Sequence, residues 1–367
     1  MIRVFCICLL CLTFISCEWE SSHKESVLVV LVESLSFDSV TCGNLPPNMN
    51  GFKTFCEESI RFTHAFTPSP MSQAALASIL SARYPIEHGV WHNGSQFLSA
   101  KYQTVAEEAV ARGFRTGSFY GEPKKKKKSG LNQGFEVFED NIDLKLGNYY
   151  RDASSNFELL MNWLDLEVRP QPFFTMVFLP DLQFLDAVTF SELGERRSQT
   201  YEGQIYEINE GLERLIKYLK NNELWHRTHV VLTGLTGKSG GRRIGELDTY
   251  NLFSENVQIP LFVKPAQRPR DQGINWKIDT NVSLVDLGAT LFELVGALPP
   301  QHKGRELEVS SLLSVFQTPT VNWDDNRFIL IESAWPQWRG VGGSRFSVRR
   351  GHYLVLHDQQ LKLYNSL

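Results

Sequence analysis

The segment Ser69–Val90, SPMSQAALASILSARYPIEHGV, concentrates groups that can do ester chemistry. Ser72 opens a run of small residues with helical character, and Arg83-Tyr84-Pro85 and His88-Gly89-Val90 follow it. A serine at such a point can cap the helix through its hydroxyl, which is the simpler reading. It can also attack an ester, provided that a cation lowers its pKa and other charge holds the nonbridging oxygens. Glu33 follows the apolar run Leu28–Val32 and puts a carboxylate at a strand end. Lys124–Lys128 is an unbroken run of lysines. It either binds an acidic surface, such as lipid headgroups or a polyanionic glycan, or forms a solvated loop, the simpler assignment.

These groups need elements to position them. Leu28–Val32, Arg115–Tyr120, Phe173–Leu179 and His229–Thr233 are short apolar runs of the kind buried on both faces of a sheet. Gly51–Ser59 reads as a helix. Glu202–Leu219 carries Ile205, Ile208, Leu212, Leu215 and Leu219 on one helical face. Val282–Val295 reads as a further helix with Asn281 or Ser283 as its cap. The alternation predicts an α/β fold, a mostly parallel central sheet sandwiched by helices over residues 26–320. Ligands of such sheets gather at the carboxyl ends of the strands, where Glu33, Leu235-Thr236 and the loop before Ser72 should converge. FILIES, RFSVRR and HYLVLH predict a small C-terminal antiparallel sheet within residues 321–367.

At 367 residues with 42% hydrophobic content the chain can bury a large core. A formal charge of −4 gives no reason to expect a nucleic-acid partner. Arg3 followed by the apolar stretch Val4–Ser16 reads as a signal peptide over residues 1–16, too short to span a bilayer comfortably. Phe14-Ile15-Ser16-Cys17 is similar to a bacterial lipoprotein box, which would make Cys17 the lipidated first residue of the mature chain and residues 17–25 a polar tether. The alternative is ordinary cleavage near Ser16. The expectation is an exported lipoprotein, held to a membrane by its lipid and facing the periplasm or the cell surface. Cys42 and Cys56 are the cysteines of the globular part. An oxidising compartment would let them pair, and two separate small apolar side chains is the simpler expectation.

A family resemblance rests on order. VLVVLVESLSFDSV (Val27–Val40), IRFTHAFT (Ile60–Thr67), the Ser69–Val90 frame, Glu107–Phe119, Leu131–Phe138, Pro172–Asp181, His229–Gly237, Ile259–Lys264 and Ser283–Leu298 follow in the order of the sulfatases. The chain resembles that family, of the alkaline phosphatase superfamily, over nearly all of its length after the leader. The resemblance implies sulfate-ester hydrolysis. It also implies a divalent metal held by two aspartates after the first strand and a later Asp-His or Asp-Asn pair, and a formylglycine matured within Cys/Ser-x-Pro-x-Arg. It puts Ser72 at the nucleophile position, Glu33, Ser34, Leu235 and Thr236 at the metal positions, and Arg83, His88, Gln183 and Asp248 at substrate-binding positions.

The departures from the pattern fall on the chemistry. Ser72-Gln73-Ala74-Ala75-Leu76 has alanine for the maturation proline and leucine for its arginine. Thr233-Gly234-Leu235-Thr236-Gly237 has leucine and threonine for the later metal pair, and leucine offers no oxygen to a hard cation. Gln183 and Asp248 stand where the family often has histidine or lysine. Two functions remain open. One is an envelope protein that binds or supports without catalysis and needs no cofactor. The other is a divergent ester hydrolase or transferase that uses Ser72, with Glu33 and Asp248 recruiting Ca or Mg in a new geometry.

Overall fold

The computed structural model describes residues 24–94, 96–122, 129–142, 150–168, 170–184, 200–238, 251–266, 275–302, 308–318, 327–334, 343–351, 353–358 and 360–365. Cys17, Lys124–Lys128 and Asp248 lie outside the described residues.

The main sheet contains β1 (Ser26–Val32), β2 (Ile60–Phe66), β3 (Arg115–Tyr120), β4 (Val137–Glu139), β5 (Phe173–Leu179), β6 (Thr228–Gly234), β7 (Gln258–Lys264), β8 (Trp276–Ile278) and β9 (Val282–Ser283). Its order is β4-β3-β5-β1-β6-β7-β2-β8, with β9 also on β2. The pairings are parallel except those of β7, which runs antiparallel to both β6 and β2. Reversal on both sides of β7 leaves β2 parallel to β1, so β1, β2, β5 and β6 deliver their carboxyl ends to one edge.

Both faces of the sheet are covered, as the continuous apolar strands require. Val27, Val29 and Leu31 of β1 face a core completed by α2 (Ser72–Ser81), α4 (Val105–Ala111) and α8 (Leu284–Leu294). Leu28, Val30 and Val32 face a second core under α1 (Asn50–Glu58), α5 (Ala153–Trp163) and α6 (Tyr201–Asn221). Each fully buried Val or Leu contributes on the order of 1.5–3 kcal/mol, so register is strongly specified. A slip by one residue would exchange the two cores.

Short helices α3 (Pro85–His88), α7 (Ser254–Val257) and α9 (Leu313–Gln317) complete the body. Among the described residues no helix is long and apolar enough to cross a membrane. The tail forms the expected antiparallel sheet, β10 (Phe328–Ser333), β11 (Arg345–Arg350) and β12 (Tyr353–Asp358), extended by β13 (Gln360–Asn365), which the sequence reading omitted. It packs Ile329, Ile331 and Leu356 on Phe66 and Val257, beside the segment that leads to Ser72. Ser283 caps α8, accepting from the Val285 N–H at 3.2 Å, while Val282 belongs to strand β9.

One expectation is overturned. Cys42 and Cys56 form a disulfide. Cys56 faces the core from α1 as expected, but the loop after the 3-10 turn Phe37–Val40 folds back over that helix. It brings the two Cα atoms to 5.6 Å, an ordinary bridging distance. Such an approach is tertiary, and no local pattern reports it.

Candidate functional site at the carboxyl edge of the sheet

Glu33 and Leu235 are neighbours. Each directly follows its strand, and the Leu235 N–H donates to the Val32 carbonyl at 2.8 Å. Ser72 begins α2 beyond the carboxyl end of β2, on the same edge. All of α2 is buried, because its Ala and Ser side chains allow close packing. Gly288 of α8 marks the closest approach, since a Cβ there would lie 2.6 Å from the Ile79 carbonyl oxygen.

Ser72 does not cap its helix, contrary to the simpler sequence reading. Met71 is the N-cap residue, with no side-chain cap. Asn93, from the loop after His88-Gly89-Val90, performs that role from outside: its Oδ1 accepts from the Gln73 N–H at 2.9 Å. The Ser72 hydroxyl points to the same Oδ1 at a longer 3.4 Å. The Gln73 side chain closes the junction, accepting from the Gly94 N–H at 2.9 Å and donating to the Gln96 carbonyl. Ser72 is consequently only 1% exposed. Residue-type reasoning missed Asn93; the Asn93-Gly94 pair, a turn signal, was the available clue.

Ser34 has φ +59°, the left-handed region, which costs a non-glycine residue energy. Two side chains hold it there. Its N–H donates to Thr236 Oγ1 at 3.1 Å, and its carbonyl accepts from the Tyr201 hydroxyl at 2.8 Å. Thr236, at an implied metal position, thus serves the backbone. Tyr201, absent from the sequence reading, also accepts from the Ser36 N–H at 3.2 Å and the Ser39 hydroxyl at 3.1 Å. It stands at a cavity of about 480 Å³ lined by Ser36, Phe37, Ser39, Tyr201, Lys238 and Glu255.

The positions implied for a divalent metal offer a poor donor set. Glu33 supplies a buried carboxylate, Ser34 a hydroxyl, Thr236 a hydroxyl oxygen already accepting a hydrogen bond, and Leu235 nothing. Among the described residues no three His, Cys, Asp or Glu side chains stand together as metal ligands. A hard cation takes six or more oxygens, with carboxylates prominent. The described residues at this edge do not fit it.

The implied substrate-binding residues are dispersed. His88 is 4% exposed; its Nδ1 accepts from the Val90 N–H at 3.0 Å, which leaves Nε2 to donate to the Ser78 hydroxyl at 3.0 Å. Burial pushes its imidazole down to about 3, so it is a neutral packing residue. Arg83 lies past the C-terminal end of α2, roughly 15 Å from Ser72 at 1.5 Å per residue. There it approaches Glu87 at 3.5 Å and stands over the Tyr102 ring. Gln183 is exposed in the turn after β5.

The positions to which the resemblance assigns the maturation motif and a metal ligand share a destination. Ala74, Leu76 and Leu235 are 0%, 1% and 0% exposed and belong to one apolar cluster, together with Met71 and Ala75. Groups that would bear charge or direct maturation in the family pattern are here part of the core.

Solved structures of similar architecture fit this topology. A phosphonate monoester hydrolase of Agrobacterium radiobacter aligns with TM-score 0.73 and 16% identity, over 93% of this chain and 89% of that one. A second phosphonate monoester hydrolase, from Silicibacter pomeroyi, aligns with TM-score 0.69 and 14% identity over 93% and 89%. A structure solved in complex with its substrate D-glucosamine-2-N,6-O-disulfate aligns with TM-score 0.72 and 13% identity over 93% and 91%. At these identities the likeness is one of fold. No curated protein sequence matches the chain. The sulfatase family model matches residues 25–297, most of the chain. With that match and this sheet, the chain belongs to the sulfatase family.

Proposed function

We propose that this protein is an exported, lipid-anchored member of the family that no longer hydrolyses sulfate esters and acts as a binding or structural component of the cell envelope. The observation that carries the reading is the burial of Ala74, Leu76 and Leu235 in one apolar cluster. A serine hydroxyl is a weak nucleophile at neutral pH without a base or cation to activate it. Here it is enclosed by Asn93 and Gln73, and the nearby His88 is engaged through both ring nitrogens. The cavity beside Tyr201 retains hydroxyls and both signs of charge, which suits a polar ligand held without turnover.

Catalysis is tested by turnover of aryl sulfate and phosphate esters, with the mass of the peptide containing residue 72. The expected result is an unmodified serine and rates equal to those of Ser72→Ala. Turnover abolished by Ser72→Ala and by a chelator would overturn the reading in favour of a divergent hydrolase using Ca or Mg.

Export is supported by the Phe14-Ile15-Ser16-Cys17 segment and by the Cys42–Cys56 disulfide, a bond that persists in oxidising compartments. Cys17→Ala is expected to leave an unprocessed precursor or a soluble product. Normal membrane fractionation with normal processing would count against lipidation.

A further inference from the structure

A second cavity, of about 260 Å³, lies between the start of α5, the start of the loop after β5, and α6. Asp152, Asp181, Glu207 and Glu210 bring carboxylates to it, and Arg214 brings a guanidinium that hydrogen-bonds the Ser154 hydroxyl. None of these belongs to the constellation around Ser72.

Asp181 sets this cavity apart from an ordinary acidic surface. It is 1% exposed, yet it lines the cavity. Its Oδ1 accepts from the Ala153 N–H at 2.9 Å, while among the described residues nothing hydrogen-bonds its buried Oδ2. A buried acceptor left without a partner costs about 1–3 kcal/mol, and more when charged. The α5 terminus does not absorb this oxygen, because Asp152 Oδ1 accepts from the Ser155 N–H at 2.9 Å and Asp181 Oδ1 takes that of Ala153.

The chemistry of the occupant follows by elimination. Four carboxylates against one guanidinium disfavour an anion. Among the described residues no three acidic side chains converge as metal ligands, and the volume far exceeds that of a bare ion. A planar guanidinium prefers two parallel acceptors, and Asp181 has only one oxygen to offer. A compact ammonium needs only single acceptors, each reached by one of its three N–H groups. We propose that this cavity binds the primary ammonium group of a small organic cation, with Asp181 as the anchoring carboxylate and Glu207 and Glu210 adding charge from α6.

The electrostatics agree with this assignment. Burial, with the charges of Asp152 and Glu207, pushes the Asp181 carboxyl up to about 7. A bound ammonium favours the ionised form, so protons compete with the ligand. Affinity should fall as pH drops through 7; the other charged groups that face Asp181 across the cavity are Asp152, Glu207, Glu210 and Arg214.

The test is calorimetric titration of the purified mature chain with n-butylammonium and butane-1,4-diammonium chlorides at pH 8 and pH 6, with MgCl₂, CaCl₂ and n-butylguanidinium as comparison ligands. One saturable ammonium site is expected, weaker at pH 6. Asp181→Asn keeps the acceptor for Ala153, so it should melt at or above the wild-type temperature and weaken binding roughly 10- to 100-fold, the worth of one hydrogen bond to a charged group. The double variant Glu207→Gln/Glu210→Gln leaves Asp181 in place and should weaken it several-fold. Unchanged affinity in a folded Asp181→Asn protein would overturn the proposal. So would saturable Mg²⁺ or Ca²⁺ binding that needs Asp181 while the ammonium ions do not bind, which would assign the cavity to a hydrated metal.

Discussion

His88 illustrates how a residue of the right type can hold a frame rather than a substrate. Both ring nitrogens are committed, Nδ1 to the Val90 N–H and Nε2 to Ser78, so the imidazole ties the end of the Ser69–Val90 segment to α2. Its pKa is lowered by burial to about 3, against an ordinary value near 6.5. The unfolded chain therefore binds the extra proton first as pH falls. The associated stability is complete above about pH 6.5 and is lost progressively between there and pH 3, at up to about 1.4 kcal/mol per pH unit. Because burial raises the Asp181 carboxyl to about 7, which contributes with the opposite sign over the same range, this slope should be read as the difference between wild type and His88→Gln in denaturant unfolding at pH 7, 6, 5 and 4. His88→Gln should be less stable at pH 7, by about 1–3 kcal/mol for the disturbed buried hydrogen bonds. It should also respond less steeply to acid, and an unchanged slope would show that His88 does not govern it. Leu235 shows the same at its own position: it directly follows a buried strand and packs wholly into the core.

At the scale of elements, the loop after β1 is the piece whose position local sequence does not dictate. It carries Ser34 in a left-handed conformation, walls the cavity beside Tyr201 through Ser36–Ser39, and is then tied to α1 by Cys42–Cys56. The cysteines are 14 residues apart, so on loop-entropy grounds the bond stabilises by about 3 kcal/mol. Cys42→Ser/Cys56→Ser, or reduction, is expected to lower the denaturant midpoint accordingly and to increase proteolysis within residues 36–49. Equal stability of oxidised and reduced protein would show that the loop is held by its packing and by Tyr201 alone.

For the whole molecule, the joint between the main domain and the C-terminal sheet rests on a buried ion pair. Asp286 of α8 is 0% exposed; its Oδ1 accepts from Arg327 at 2.8 Å and from the Ser310 N–H at 2.8 Å, while Oδ2 accepts from the Ser283 N–H at 2.8 Å. Arg327 immediately precedes β10. Removing one member of such a pair strands the other charge, at a cost of about 3–5 kcal/mol. Asp286→Ala should destabilise by that order and make strands β10–β12 sensitive to protease before the main domain unfolds. Asp286→Ala with Arg327→Met should recover part of the loss. If the double variant is as unstable as the sum of the single ones, the two side chains are not coupled.

Much of the architecture was legible from periodicity. Leu28–Val32, Phe173–Leu179 and Glu202–Leu219 state their own secondary structure, because burial on two faces or on one stripe leaves a periodic trace in composition. That Leu235, Ala74 and Leu76 carry no group able to hold a metal or a charge was equally legible, since side-chain chemistry does not depend on conformation. Other features needed the folded chain. Asn93 capping α2, Tyr201 fixing Ser34, Asp181 lining a cavity, and Cys42 meeting Cys56 each join segments distant along the sequence. A hydrogen bond or a disulfide requires approach within a few ångströms, which tertiary packing sets. Sequence alone determined the elements, their order and the residue types at the carboxyl edge of the sheet; the tertiary structure decided which polar groups meet there, and that Ala74, Leu76 and Leu235 close into one core, because contact is set by packing.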